Sequence, residues 1–512
     1  MAASFFHPFR TYFPLLLPLL VLLPGLGLAP LFDVDEGAFS EATREMLARG
    51  DYLSTWLNGH PRFDKPILIY WLQAASVSLF GLSEWAFRLP SALAAALWCF
   101  VLSRFAEEFF DREAGWMASV VTLTCLGVQL IGRAATADSV LNLFLALTMV
   151  DLWRYLASGN MTAARRVFLW VGLGFLTKGP VAVLIPGASV FLWCLFSKQW
   201  APLWRAVKDV PGWMILLGIS LPWYVVAYQI HGEAFIQGFF MKHNVQRFSS
   251  TLEGHGGSLL YFLVLVPLFL VPWWPWMWGA VRRVGQNWSS PLHRFLWLWC
   301  LFVFVFFSLS GTKLPHYALY GCTPLFVLIA AEYAQSSRRY LSLLPALLVL
   351  LFLASIPLWL GRVSVEPGFY TDQMARLDAE MIRSAAIPAG LLVGVGLSTV
   401  VFWRLVVWRQ VAILAVLASM VLSLSIAPML GDLLQGPVKR TALLAKDMQQ
   451  PVVQWQGHWP SFSVYLQAET PLRAPESGEL AVIRLDRIPA TVDYTLLHRE
   501  GGVALIQTRG ER

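Results

Sequence analysis

A run of about 20 apolar residues can satisfy its backbone inside a bilayer only as a helix. Such runs recur along most of this 512-residue chain. They fall near 11–31, 85–105, 114–132, 138–156, 167–177, 179–197, 211–230, 258–281, 293–310, 315–334, 340–360, 386–404 and 409–430. The pattern predicts an all-α polytopic membrane bundle of about 13 transmembrane helices over residues 1–430, with its tightest turn at Lys178. With 57% hydrophobic and only 13% charged residues, an ordinary soluble domain is excluded. The net charge of +7 is spread over short loops and forms no nucleic-acid surface. Cys99, Cys125, Cys194, Cys300 and Cys322 stand alone within or beside apolar spans, as small buried fillers would.

The N-terminal stretch has one Arg before its apolar run, like a signal peptide. It offers no clear small-residue cleavage site, so a retained first helix starting in the cytoplasm is expected. Arg154, Arg165, Arg166, Lys198, Arg205, Lys208, Arg282, Arg283, Arg294, Arg338, Arg339, Arg404 and Arg409 then all fall inside if the first loop is outside. An odd number of spans puts the tail, 431–512, on the side of that loop. There PVKRTALLAKDMQQ reads as a short helix. PVVQWQG, SFSVYLQ, ELAVIRLD, VDYTLLHRE and VALIQTRGER alternate like strands, with a hairpin turn at Gly501 and Gly502. A small α/β unit follows, with nothing that looks catalytic.

The first loop, about 33–84, is far longer than the others, and long loops in compact proteins are commonly functional. Phe39, Ala42 and Met46 recur at helical spacing before Gly50, predicting an amphipathic helix suited to a membrane surface. A second helix is expected over Ile67–Phe80, capped by Asp64, with Pro66 in the first turn and Gly81 at its end. It is too short to cross a bilayer.

The predicted topology gathers ionisable residues at the outer end: Asp35, Glu36, Asp64, Lys65, Arg133, Asp138, Lys178, Lys242, His243, Arg247, Lys313, His316 and Tyr317. Charges at span ends are costly unless paired or functional, so this concentration argues for one cavity. Carboxylates can position an acceptor, and lysines and arginines can neutralise a departing phosphate. No glycine-rich nucleotide fingerprint and no zinc-ligand spacing occurs, which disfavours a nucleotide-sugar site and a required transition metal. A loosely held divalent ion near Asp35 and Asp138 stays open.

The run DEGAFSEATREMLARGDYLSTWLNGHPRFDKPILIYWLQAASVSLFG, followed by EWAFRLPSAL, resembles the opening of the lipid A 4-amino-4-deoxy-L-arabinose transferases and, more distantly, the protein O-mannosyltransferases. Both are GT-C membrane glycosyltransferases with polyprenyl-phosphate sugar donors. The resemblance covers roughly the first two thirds of the chain. It implies a multi-pass protein of the bacterial inner membrane with its active site and C-terminal unit facing the periplasm, and lipid A or another outer-leaflet molecule as acceptor. It assigns catalysis to Asp35, with Glu36 beside it and Asp138 as a second acid. Lys65 of FDKP, Arg247 of VQRF and Tyr317 of KLPHY would grip the donor phosphate. Asp64, Lys178, His243, Lys313 and His316 would line the substrate site. Asp64 replaces a frequent Glu, and Lys242 stands where the branch has an acidic residue.

Structural roles compete at several of these positions. Asp35, Glu36 and Asp138 could cap helices, Lys178 could end a span and snorkel, and VPWWPWMW (271–278) suits an interfacial aromatic belt. A lipid or solute transporter is the rival function. It would place its charges near the midplane and show paired halves, whereas here they collect at one end and the halves differ.

Overall fold

The computed structural model describes residues 2–250, 256–335, 339–364, 366, 368–402 and 405–511. The side chains of 2–11, 247, 335, 339, 402, 510 and 511 lie outside that description. Arg338 and Arg404 therefore fall outside the described residues, as does the Arg339 side chain.

The chain opens with helix α1 (Ala2–Leu22), and the long loop then folds as α2 (Asp35–Arg49), a small hairpin of β1 (Trp56–Leu57) and β2 (His60–Pro61), and α3 (Leu68–Phe80). The bundle continues with α4 (Glu84–Phe109), α5 (Arg112–Thr124), α6 (Leu126–Ile131), α7 (Asp138–Ser158), α8 (Met161–Lys178) and α9 (Val181–Ser197). After α10 (Ala201–Val207) and α11 (Val210–His231) come the helices Pro291–Leu309, Ala318–Ala330, Arg339–Trp359 and Ala379–Phe402. Among the described residues seven helices are long and apolar enough to cross a membrane, and eight if Tyr261–Phe269 and Val271–Arg282, bent by 79° at their junction, form one span. The protein is a multi-pass membrane protein.

Several expected spans are broken or longer than read. The stretch 114–132 divides at Cys125, whose extended backbone ends α5. The Trp-rich stretch is only partly a belt: Trp273 and Trp276 are buried while Trp274 and Trp278 are exposed. Trp273 Nε1 donates to Thr124 Oγ1 at 2.9 Å, so half of the motif serves the core. The last apolar run continues without a break through 431 as a 41-residue rod, Val407–Asp447. All five cysteines are free and buried.

At one end of the bundle the positively charged loops are knitted by ion pairs. Arg154 binds Glu108 and Asp151, Arg166 binds Asp151, Arg165 binds Asp209, and Arg409 binds Glu113. Together they tie the C-terminal ends of α4 and α7 to the N-terminal ends of α8 and α11, and the N-terminal end of α5 to the start of the rod at Val407. The first loop and the residues gathered for chemistry lie at the other ends of these helices.

The tail forms a four-stranded sheet, order β3-β4-β6-β5, from β3 (Val452–Trp455), β4 (Leu480–Arg484), β5 (Val492–Glu500) and β6 (Val503–Glu511). β3 and β4 are parallel, the other pairs antiparallel, and Gly501 at φ 52° makes the hairpin. SFSVYLQ, expected as a strand, is the helix Pro460–Leu466, every residue of which is buried. It is packed on both sides, against α2 and against the C-terminal part of the rod, so its apolar pattern carried no period that distinguishes helix from strand.

Candidate active site

α2 does not lie on a surface. Eleven of its residues, Glu36 to Met46, are buried, because its polar face meets protein. Arg44 makes two hydrogen bonds of 2.7 Å to Glu41. Thr43 Oγ1 donates to Gln73 Oε1 at 2.8 Å, and Gly59 N–H points at Glu45 from 3.3 Å. The helix is amphipathic in sequence, but the C-terminal unit and α3 take the place of water.

Glu36 is not a free carboxylate. Its two oxygens accept from Arg88 Nε at 2.9 Å and Nη2 at 2.8 Å, from the backbone N–H of Phe32 at 3.0 Å and from that of Ala135 at 2.7 Å. Arg88, 3% exposed, also donates to the carbonyls of Leu26, Ala29 and Pro30 at 2.7–2.9 Å. With its acceptor capacity filled, Glu36 is a clamp, which corrects its assignment to catalysis. The clamp fixes the segment before α2 to α4 and to the turn before α7. It thereby sets Asp35, exposed as the first residue of α2, beside the turn that leads into Asp138.

Neither Asp35 nor Asp138 caps its helix. The N-cap positions are Val34 and Ala137, with no side-chain cap bond. Asp138 is buried and accepts from Lys178 Nζ, the last residue of α8, in a short contact. Lys178 also donates to Tyr320 Oη at 3.1 Å and lies 3.3 Å from His316 Nε2, which is 3.5 Å from Asp138. Lys178 therefore does not snorkel. It turns inward over the rings of Tyr317 and Tyr320, at 5.6 and 5.8 Å. Tyr320, missed in the sequence, is one turn beyond Tyr317 and so on the same face.

Asp64 does not cap α3, whose N-cap is Ile67. Its carboxylate accepts from Arg62 Nη2 at 3.1 Å and sits 2.9 Å from His243 Nε2. Burial by itself would raise the Asp64 pKa, but the His243 bond and the charges of Arg62 and Lys65 outweigh it and hold the carboxyl well below the usual range. His243 belongs to a π-helical stretch, Ile236–Gln246, a geometry frequent at functional sites. Lys242, in the same stretch, is exposed. Lys313 is buried and donates to the Ser310 carbonyl at 2.8 Å. Arg247 starts the helix Arg247–Ser249, and its side chain is outside the described residues.

Six of the ionisable or phenolic groups line one cavity of about 470 Å³, whereas Asp35, Asp138, Lys313 and His316 are not among its lining residues. Asp64, Lys65, Lys178, His243, Tyr317 and Tyr320 form its polar end. Leu184, Phe240, Phe248, Phe306 and Phe307 form an apolar remainder. A cation-lined end joined to an apolar channel fits an amphiphile with an anionic head. A separate cavity of about 480 Å³ around Trp276, Arg282, Arg283 and Glu332 shares no residue with it and contains none of the groups expected for catalysis. From the C-terminal unit, His458 comes within electrostatic reach of Arg62: burial and then that guanidinium lower its pKa. Arg88 had a readable signal, an arginine inside an apolar span, but Arg62 and His458 had none.

Fold and cavity together define a class: polytopic membrane proteins with a cavity, cationic at one end and apolar beyond, at the end of the bundle that holds the first loop. Residues 64–225 match the family model described as dolichyl-phosphate-mannose-protein mannosyltransferase. The chain shares its fold with ArnT from Cupriavidus metallidurans, solved bound to undecaprenyl phosphate. The TM-score is 0.81 at 22% identity, covering 96% of this chain and 97% of that one. Within the class, the chain resembles the undecaprenyl phosphate-aminoarabinose transferases in both sequence and fold. It is 30% identical to the undecaprenyl phosphate-alpha-4-amino-4-deoxy-L-arabinose arabinosyl transferase of Shewanella sediminis over 62% of this chain, and 32% identical to transferase 2 of Sodalis glossinidius over 67%. The matched region spans 58% and 64% of those relatives' lengths, less than two thirds of each.

Proposed function

We propose that the chain is a glycosyltransferase of the bacterial inner membrane that moves a sugar, 4-amino-4-deoxy-L-arabinose, from undecaprenyl phosphate to an outer-leaflet acceptor such as lipid A. The observation that carries this reading is the cavity in which Lys65, Lys178 and Tyr317 meet an apolar channel. The polyprenyl chain occupies the channel and its phosphate the cationic end, on the periplasmic side with the C-terminal unit.

In the reaction an acceptor oxygen attacks the anomeric carbon, and the bond from that carbon to the donor phosphate oxygen breaks. The electron pair leaves on the phosphate, where Lys65, Arg247 and Tyr317 strengthen their contacts as charge accumulates. Asp35 orients the acceptor and accepts its proton when the acceptor is a hydroxyl. A lipid A phosphate is already ionised, and Asp35 then positions it through a bridging group. Asp138 sets Lys178 and His316 around the phosphate. Because Lys178 already neutralises Asp138, we assign that carboxylate no metal.

The test is transfer by purified protein in detergent. It uses undecaprenyl-phosphate aminoarabinose or mannose donors and lipid A or peptide acceptors, with Asp35→Asn alongside. Transfer to lipid A that falls at least about 100-fold in the variant supports donor, acceptor and residue. Transfer of mannose to peptide moves the chain to the O-mannosyltransferase branch. No transfer with any donor, together with lipid movement in vesicles, overturns the enzyme in favour of a transporter.

A further inference from the structure

Two residues before Asp35, the carboxylate of Asp33 reaches across to the C-terminal unit. Its Oδ1 accepts the backbone N–H of Ser461 at 2.9 Å, and its Oδ2 accepts the Ser461 hydroxyl in a shorter contact. Ser461 is fully buried in the helix Pro460–Leu466, whose own N-cap residue, Trp459, provides no side-chain cap. Asp33 supplies that missing acceptor from a segment more than four hundred residues away in sequence. The first turn of α2 is closed against the pair. A Cβ on Gly37 would meet Asp33 Oδ1 at 2.0 Å and Ser461 N at 2.6 Å, so only glycine allows this approach. Tyr465, one turn on from Ser461, accepts the N–H of Leu31 at 2.8 Å and donates to Glu84 at 3.0 Å, while Lys439 binds the same Glu84. The strand of chain leading to Asp35 is therefore held from the bundle by Arg88 and Glu36, and from the C-terminal unit by Ser461 and Tyr465.

We infer that Asp33 and Ser461 form a positioning latch by which the C-terminal unit fixes Asp35 for catalysis. The inference rests on the glycosyltransferase reading for its effect on rate, and on geometry alone for the latch itself. A displacement of Asp35 by about 1 Å is enough to cost up to about 100-fold in rate.

The charged groups around the latch are Asp35 and Glu36 on its own segment, Arg88 from α4 bound to Glu36, and Glu84 with Lys439 beyond Tyr465. Burial pushes the Asp33 carboxyl up to about 7, opposed by the two Ser461 bonds and aided by the charge of Glu36. A carboxyl raised in the folded state stabilises the fold most below its unfolded pKa, about 3.9, and that contribution is lost as pH climbs through about 7. Protonation keeps the latch closed, because the acid O–H donates to the Ser461 hydroxyl while the remaining oxygen accepts its N–H. Asn at 33 reproduces both bonds without titrating.

The experiment compares Asp33→Ala, Asp33→Asn, Ser461→Ala and Gly37→Ala in the full-length protein by transfer kinetics and by amide hydrogen exchange over residues 31–46. Expected are a fall in kcat of about 10- to 100-fold with donor KM unchanged, and faster exchange at 31–46, for Asp33→Ala and Gly37→Ala. Ser461→Ala, which removes one of the two bonds, moves in the same direction by less. Asp33→Asn keeps native kcat and exchange and removes any titration near pH 7. Native exchange and kcat in both Asp33→Ala and Gly37→Ala overturn the latch, as does an Asp33→Asn variant as impaired as Asp33→Ala. If the native protein transfers no sugar, the functional reading fails, and the exchange comparison still decides whether the latch exists.

Discussion

Replacing Arg88 by Met tests whether the clamp on Glu36 holds the first loop in place. The substitution keeps the buried volume and removes five hydrogen bonds, two of them to a carboxylate that is itself 5% exposed. Removing one partner of a buried ion pair costs about 3–5 kcal/mol, because the other charge stays behind without compensation. The orphaned carbonyls of Leu26, Ala29 and Pro30 add about 1 kcal/mol each where water cannot reach them. Arg88→Met should therefore lose at least about 4 kcal/mol, read by tryptophan fluorescence during unfolding in mixed detergent and SDS micelles. The double variant Arg88→Met with Glu36→Leu leaves no buried charge and should recover at least half of that loss. Glu36→Gln, assayed on its folded fraction, should keep kcat near native, since Glu36 contacts structure and not substrate. A loss below about 1 kcal/mol for Arg88→Met, within the range of an exposed pair, or a Glu36→Gln variant as inactive as Asp35→Asn, would refute the clamp.

Lys65→Met should raise the KM for undecaprenyl-phosphate sugar about 10- to 100-fold, the worth of one charge-assisted hydrogen bond, in initial-rate measurements. Asp64→Asn should lower thermal stability at pH 7. A carboxyl held below its usual pKa contributes stability above about pH 4 and loses it as pH falls toward its folded value, so variant and native should converge in acid. Transfer should persist in excess EDTA, because Lys178 already occupies Asp138, and a requirement for added magnesium would overturn that assignment.

The bundle was legible because its signal is redundant: each span repeats the same demand that about 20 residues satisfy their own backbone in lipid. The site was legible where charge at a span end was unexpected, as at Asp138, Lys178 and His316. Roles were harder to read. Glu36 and Asp35 are adjacent and chemically alike, and what separates them is Arg88, more than fifty residues away and buried against one of them. The same limit hid α2: its amphipathic pattern specifies a polar partner on one face, without saying whether that partner is water, a headgroup or, as here, Gln73 and the backbone of Gly59. Nor could alternation in SFSVYLQ reveal a helix that is buried on every side.

The C-terminal unit belongs to the same mechanical system as the first loop. Arg49 joins Glu469 at 2.6 Å, Ser461 holds Asp33, and Tyr465 with Lys439 holds Glu84 at the start of α4. The rod Val407–Asp447 runs from the bundle into this unit as one helical body. Bundle and tail thus meet Asp35 from opposite sides, through Glu36 on one and Asp33 on the other. An exposed carboxylate at the first position of a helix would ordinarily sample many positions. Between two hydrogen-bonded acids, Glu36 buried and Asp33 half-buried, its backbone has little room to move, which is the preorganisation that the proposed acceptor positioning would require.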